Sequence, residues 1–367
     1  MTTAAMTSTR TITIVPLLAF VVLLSLVGLG LTLMVCSLLR NLNYVVHTPQ
    51  LYSLKRIWIM KEIRMLALTR PIIVTLSLLL LVLSAFAGPK AKPPDEKFTF
   101  AAYGDTRTNP IAHAEVIHEI VGMRPEFVLQ SGDLVSDGGN PRQWAQFEQI
   151  TKPLRDAGIA YYPARGNHDL GRYYPSCVTE PFDSGDRIHK LYYAFTRHRN
   201  RFIIVDSMEP YQPGSRQYVW LEYELARARK TAINTFVMFH EGPFSVGPHG
   251  STPEAQKYLH PLFVKYHPRA VFCGHDHLYY RTTRDGVTYV VTGGGGAPPY
   301  RPENAQIAIP GDVFVTDVDN MGRPLSDSDY NALIYHAIRC DVDGPRVTFT
   351  VIRLDGTVID HFMLGPK

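Results

Sequence analysis

The sequence predicts an α/β domain built from two sheets flanked by helices, and three observations carry that prediction. Short apolar runs alternate with amphipathic helical stretches between residues 98 and 273. From residue 333 onward the pattern changes to three strand-like runs joined by Asp343-Gly344 and Asp355-Gly356. Several of the earlier runs stop on Gly-Asp, Gly-Asn-His-Asp or His, polar groups that belong at strand ends rather than in a core. Strand–helix units first and hairpins last argue for two sheets, not one doubly wound sheet. No internal repeat interrupts the series.

Residues 98–103 read as the first strand and end at Gly104-Asp105. Asn109-Pro110 opens a helix, with Asn as cap and Pro in the first turn, and Ala112, Val116, Ile117 and Ile120 form its buried stripe. Residues 127–129 are the second strand, ending at Gly132-Asp133. The 28-residue step from Asp105 to Asp133 fits one strand–helix–strand crossover, which brings both carboxylates to the same sheet edge. Asn140-Pro141 repeats the cap, and Trp144, Phe147, Ile150 and Leu154 continue at helical spacing. Residues 159–164 are the third strand, stopping at Gly166-Asn167-His168-Asp169. Residues 170–190, rich in Tyr, Pro, Gly and Asp, read as an irregular insertion.

Residues 191–195 and 202–205 read as paired strands, and 215–230 as an amphipathic helix. The strand 235–239 ends at His240. Ser251-Thr252-Pro253-Glu254 opens another helix, and the strand 270–273 ends at Gly274-His275-Asp276-His277. The strand 288–292 leads into Gly293 to Gly296, a loop made for close backbone approach. It lacks the Lys-Ser/Thr of a nucleotide-binding loop; it reads as a rim of the site, with Tyr300 as a substrate contact. Residues 333–340, 346–352 and 358–364 alternate as strands.

Taken singly, Asp105 and Asp133 read as turn or cap residues. His240 alone reads as a strand-end core histidine, and His275 and His277 as an exposed loop pair. Together they favour ligation. Carboxylate, amide and imidazole at separate strand ends make a ligand set for a pair of metal ions. Neutral imidazoles and an amide keep the negative charge low, so the metals retain Lewis acidity and lower the pKa of bound water toward about 7. The other histidines, His113 and His336 among them, have no such context and read as surface or satisfied core groups.

Charge and hydropathy divide the chain. Before Gly88 seven basic residues face Glu62 alone, a balance of +6, while the remaining 30 basic and 32 acidic residues balance at −2. The overall +4 therefore belongs to the N-terminal segment, and the domain offers no basic patch for nucleic acid. Cysteines are too few and scattered for a disulfide framework. Residues 12–39 and 71–87 are apolar, and about 20 such residues cross a bilayer. In one reading both runs span a membrane with the basic loop between them inside. In the preferred reading 60–87 is a signal peptide: Lys61, Arg64 and Arg70 precede the apolar run, and Ala85-Phe86-Ala87 is the cleavage site. Translation then starts at Met60 or Met65, and 1–59 is an upstream extension. Both readings export the domain, to the periplasm or beyond, with membrane contact through 12–39 and 71–87 where these are retained. Residues 88–97 read as a linker and 98–367 as the domain.

In order and spacing, Gly104-Asp105, Gly132-Asp133, Gly166-Asn167-His168-Asp169, His240 and Gly274-His275-Asp276-His277 resemble the motifs of the calcineurin-like metallophosphoesterases, closest to their purple-acid-phosphatase-like bacterial branch. The resemblance covers about residues 98–364. It implies a four-layer α/β/β/α sandwich of two mixed sheets holding two divalent or trivalent metal ions (Mn, Fe or Zn). By position, Asp133 would bridge the metals, Asp105 and His277 would hold the first, and Asn167, His240 and His275 the second. His168 would face the substrate as acid or electrostatic group, with Asp169 orienting it. His249 resembles the second substrate-facing histidine of purple acid phosphatases. The implied reaction is attack of a metal-bound hydroxide on a small phosphate ester.

One motif departs from the family. Its usual Asp-x-His is here Asp105-Thr106-Arg107, and the Tyr that purple acid phosphatases place three residues after the second Asp is Ser136. The first metal loses a protein ligand, to be replaced by water, Tyr103 or Tyr173. Arg107 has no lone pair to give, but its planar fork suits a substrate phosphate. A weaker first site and no tyrosinate–iron colour are expected. The expected function is an exported phosphomonoesterase. The alternatives are a phosphodiesterase acting on nucleotides or glycerophosphodiesters, and a membrane-tethered, inactive binding protein.

Overall fold

The computed structural model describes residues 97–318 and 321–366. The extension 1–59, the signal-peptide or second-span segment 60–87 and all of the linker except Lys97 lie outside the described residues. Among the described residues no helix is long and apolar enough to cross a membrane.

Strand β1 (Lys97–Tyr103) leads through helix α1 (Pro110–Met123) to β2 (Phe127–Gln130). Helices α2 (Pro141–Ile150) and α3 (Lys152–Asp156) then lead to β3 (Ala160–Pro163). The Asn-Pro caps act as the sequence implies: Asn109 Oδ1 accepts from Ala112 N at 3.2 Å and Asn140 Oδ1 from Arg142 N at 3.0 Å. The irregular insertion holds only α4 (Tyr174–Cys177) and the two-residue β4 (Ser184–Gly185). Next come β5 (Tyr193–Arg197), β6 (Asn200–Ile204), α5 (Arg216–Thr231) and β7 (Thr235–Met238). A π-helical turn, Ala255–Leu259, runs into α6 (His260–Tyr266), followed by β8 (Ala270–Cys273). The chain closes with β9 (Tyr279–Arg284), β10 (Val287–Thr292), β11 (Val313–Phe314), α7 (Asp327–Ile334), β12 (His336–Asp343), β13 (Arg346–Arg353) and β14 (Val358–Leu364).

Two mixed sheets result. One has the order β14-β13-β12-β1-β2-β3, the other β11-β9-β10-β8-β7-β6-β5-β4. In the first, β1 is parallel to β2 and antiparallel to β12, so the two ends of the domain meet in one sheet. The sheets pack face to face through aromatic rings: Phe100 of β1 meets Phe202 of β6 at 5.3 Å and Phe236 of β7 at 5.1 Å, both edge-on. Burying each such ring contributes about 1.5–3 kcal/mol. Strand β7 shows why there are four layers. Phe236 and Met238 face the core between the sheets, whereas Val237 faces a second core with Leu221 and Leu225 of α5 and Phe263 of α6. Val116, Ile117 and Ile120 of α1 are buried over the first sheet, against β12.

Besides the short strands β4 and β11 and the break between α2 and α3, two regions differ from the sequence reading. Residues 333 and 334 end helix α7 rather than begin a strand. Ser326 Oγ caps that helix by accepting from Asp329 N at 3.2 Å, and Asp327 and Asp329 complement its positive end. Strand β9 was absent from the reading. It pairs with β10 through a turn whose Asp285 and Gly286 have φ of 49° and 76°, the hairpin signature of an Asp-Gly pair.

Candidate metal centre

The C-terminal ends of β1, β2 and β3 in one sheet and of β7 and β8 in the other meet at one edge, where α/β folds build their sites. Each end delivers one motif. Asp105, Asp133 and His275 all have left-handed backbone, with φ of 57°, 57° and 71°. That conformation costs on the order of 1–3 kcal/mol at a non-glycine residue and persists only where surroundings enforce it. Here crossing backbone bonds enforce it: Asp105 N donates to Gly132 O at 3.0 Å and Thr106 N to Asp133 O at 2.9 Å. The accompanying glycines clear space. A Cβ on Gly166 would collide with the Asp133 carboxylate, and one on Gly274 with that of Asp105.

The side chains converge. Asp105, Asp133 and His240 are buried, and each offers one ligand atom, all within 4.8 Å of one another. His240 Nε2 lies 3.4 Å from Asp133 Oδ1, 3.0 Å from Asn167 Oδ1 and 3.2 Å from His275 Nδ1. His277 Nε2 lies 3.7 Å from Asp105 Oδ1. The other ring nitrogens are spoken for: His240 Nδ1 donates to Ser131 O at 3.0 Å and His277 Nδ1 to Pro298 O at 2.7 Å. These bonds leave Nε2 of each ring with a lone pair turned toward the carboxylates, the arrangement that metal-binding histidines use.

The electrostatics agree. Burial holds His275 and His277 down at about 3, and lowers His240 as well, so all three rings are neutral near pH 7. Burial and then the charge of Asp133 push the Asp105 carboxyl well up. Burial also acts to raise Asp133, but His240, the His168 N–H and Arg107 outweigh it and the net direction is down. Two buried carboxylates and three inward-facing neutral imidazoles have few cations beside them. Their chemistry fits bound metal ions.

The remaining residues of the sequence reading are placed as follows. His168 donates its backbone N–H to Asp133 Oδ1 at 3.1 Å, and its Nδ1 donates to Ser136 O at 2.9 Å. Asp169 does not touch that ring. Its Oδ1 accepts from Leu134 N at 2.8 Å and Val135 N at 3.1 Å, and its Oδ2 from Gly166 N at 2.8 Å. It ties the β2 and β3 loops together, and the Ser136 carbonyl orients His168. His249 is exposed and stacks on His275, with centroids 4.0 Å apart. Arg107 Nε donates to Asp133 Oδ2 at 3.0 Å, and its Nη2 lies 3.4 Å from His277 Nε2 and 3.5 Å from Tyr300 Oη.

Neither tyrosine considered for the missing ligand reaches the centre. Tyr103 turns into the core, where its hydroxyl meets Tyr161 Oη at 3.0 Å and His113 Nε2 at 3.3 Å. The Tyr173 hydroxyl accepts from Arg172 at 2.8 Å. The sequence reading also missed the support of His249. The backbone N–H of His249 donates to Asp276 Oδ1 at 3.0 Å, and Ser245 Oγ donates to the other oxygen. The position of Asp276 between two site histidines in the sequence was the available signal; the structure buries it.

Comparison with known proteins agrees with this architecture. The family model for calcineurin-like phosphoesterases matches residues 98–279. A probable purple acid phosphatase of Arabidopsis thaliana is 26% identical over 59% of the chain and 58% of its own length. The tartrate-resistant acid phosphatase type 5 of Oryctolagus cuniculus is 27% identical over 60% of the chain and 80% of its own length. The chain thus spans less than two thirds of the plant relative. A purple acid phosphatase from yellow lupin (Lupinus luteus) seeds superimposes with a TM-score of 0.59 at 20% identity, covering 75% of this chain and 55% of that one, a likeness of fold.

Proposed function

The chain belongs to the calcineurin-like metallophosphoesterase superfamily, on its purple-acid-phosphatase-like side, and from that premise we propose that it hydrolyses phosphate esters, monoesters foremost, with two metal ions. The observation that carries the reading is the convergence of Asp105, Asp133 and His240 from three strand ends within 4.8 Å, joined by Asn167, His275 and His277. Asp133 would be shared by the two metals, Asp105 and His277 would complete one set, and Asn167, His240 and His275 the other. When bound, the metals would supply Lewis acidity and activate water near neutral pH.

The chain's own groups do the rest. The Ser136 carbonyl fixes His168 through Nδ1 and leaves its Nε2 for a substrate oxygen. With a second proton on Nε2, the ring would donate it to a phosphoryl oxygen or pass it to the departing alkoxide. His249, held by Asp276 and packed on His275, lines the same mouth. Arg107 is within reach of a phosphate by way of Tyr300. The domain works outside the cytoplasm, a reading supported by the leader-like sequence of 60–87; N-terminal sequencing of the secreted protein tests it.

The function is tested by elemental analysis of the purified protein together with rates on p-nitrophenyl phosphate and bis-p-nitrophenyl phosphate. Bound Mn, Fe or Zn and a higher rate on the monoester are expected. Protein free of all three metals, or an Asn167→Ala variant as active as the parent, sinks the reading; a higher rate on the diester replaces monoesterase with diesterase.

A further inference from the structure

The two donor sets are unequal. Asn167, His240, His275 and Asp133 make one set of four, with His240 Nε2 at 3.0–3.4 Å from each of the other three. The second set, Asp105, Asp133 and His277, has three members, and a guanidinium sits among them. Arg107 Nε donates to Asp133 Oδ2 at 3.0 Å while Nη2 stands 3.4 Å from His277 Nε2. The His277 Nε2 lone pair is the one left over after Nδ1 binds Pro298 O. Arg107 therefore engages two of the three donors that a cation on this side would need.

Its position is built in. Thr106 N donates to Asp133 O at 2.9 Å and Thr106 Oγ1 to Leu134 O at 3.1 Å. Thr108 follows in left-handed conformation, φ 80°, its hydroxyl 3.2 Å from Ser136 Oγ. These bonds pin the backbone on both sides of Arg107 to the β2 loop, and its side chain is only 16% exposed. A guanidinium offers no lone pair to a metal. It cannot join a metal's ligands; it can only compete with the metal for Asp133 and His277.

We propose that Arg107 is a resident cation of the three-donor side, so that the two metals bind in sequence. The four-donor set fills first and tightly. The second ion enters only as the guanidinium leaves Asp133 and His277 and swings toward the mouth, where Tyr300 Oη already lies 3.5 Å from Nη2. There it meets the substrate phosphate. Occupancy of the second site and readiness for substrate thus become one event, set by the free metal concentration. This rests on the phosphoesterase reading above.

The test is equilibrium dialysis of the purified full-length protein against graded Mn²⁺, with bound Mn counted by elemental analysis. The wild type is expected to bind one ion tightly and a second at about 10- to 100-fold higher free Mn²⁺, the size of effect that neighbouring groups exert on metal affinity. Arg107→Ala should narrow that gap, and Arg107→His, which supplies an imidazole in place of the cation, should narrow it further. A gain in affinity cannot arise from misfolding. Two ions of equal affinity in the wild type overturn the proposal while leaving the phosphoesterase reading intact, and they do so even where a variant fails to fold. An unchanged gap in folded Arg107→Ala and Arg107→His overturns it too. A wild type that takes up no Mn²⁺, Fe or Zn removes both.

Discussion

His277 lies flat against Tyr300, ring centroids 4.0 Å apart and planes inclined by 14°. The backbone that carries the phenol is anchored, because Tyr330 Oη donates to the Tyr300 carbonyl at 2.8 Å. With Nδ1 held by Pro298 O, the imidazole is fixed both in plane and in tilt. Such stacking is worth about 0.5–1.5 kcal/mol beyond simple burial. Tyr300→Ala is therefore expected to lower kcat/KM on p-nitrophenyl phosphate about 2- to 10-fold, whereas Tyr300→Phe keeps the stack, loses only the hydroxyl beside Arg107 Nη2, and falls less. If the Phe variant is as slow as the Ala variant, the hydroxyl matters and the stack does not.

Asp169 is expected to behave as a stability residue first. Its carboxylate takes three buried backbone N–H groups. Each donor stranded by Asp169→Ala costs about 1–3 kcal/mol, a large share of the roughly 5–15 kcal/mol available to a domain. Urea unfolding should show a markedly lower midpoint for Asp169→Ala and a smaller drop for Asp169→Asn, which keeps one acceptor. An unshifted midpoint with an altered pH–rate profile would instead make Asp169 a partner of His168.

Acid should destabilise the fold through two buried histidines outside the proposed ligand set. Burial holds His113 at about 3 and His336 at about 4, below the ordinary 6.5. Both are neutral in the folded chain, so between those values and 6.5 the unfolded chain binds the extra protons. Their contribution is complete above about pH 6.5 and is lost as pH falls, by up to about 1.4 kcal/mol per unit for each group. Unfolding midpoints at pH 7, 6 and 5 check this. His113→Phe, which keeps a ring against Phe147, should make the decline shallower; an equal slope would count against His113 as a source.

Iron-loaded protein should show no visible tyrosinate band. Ser136 stands at the position of the coloured family's ligand, Tyr103 is committed to Tyr161 and His113, and Tyr173 to Arg172. Absorption between the near ultraviolet and the red, recorded on protein of known iron content, decides it. A strong band would mean that a phenol has entered the coordination, and Tyr300, stacked on His277, is placed to do so.

Most of the frame was legible because its signals are local. The Asn-Pro caps at 109 and 140, the Asp-Gly turns and the apolar runs before each motif depend only on neighbours in sequence. The register between Asp105 and Asp133 followed from one crossover length. What was not legible depends on partners far away. Strand β9 begins directly after His277, inside a stretch that reads as site loop, and is recognisable only by its pairing with β10. Asp169 looked like a partner for His168 because they are adjacent, yet its acceptors face the β2 loop, 34 and 35 residues upstream. Tyr103 follows the same rule: strand alternation sends it to the α1 side, away from the motif it precedes.

The division of the donors between two sheets has a use in protein engineering. Asp105, Asp133 and Asn167 precede the surface segment 186–190, and His240, His275 and His277 follow it. A chain opened there would place half of the chemistry on each piece, and β1 would still seek β12 across the break. Neither piece alone would carry a complete centre. Phosphate release on mixing would then report the encounter of whatever two proteins the halves are fused to.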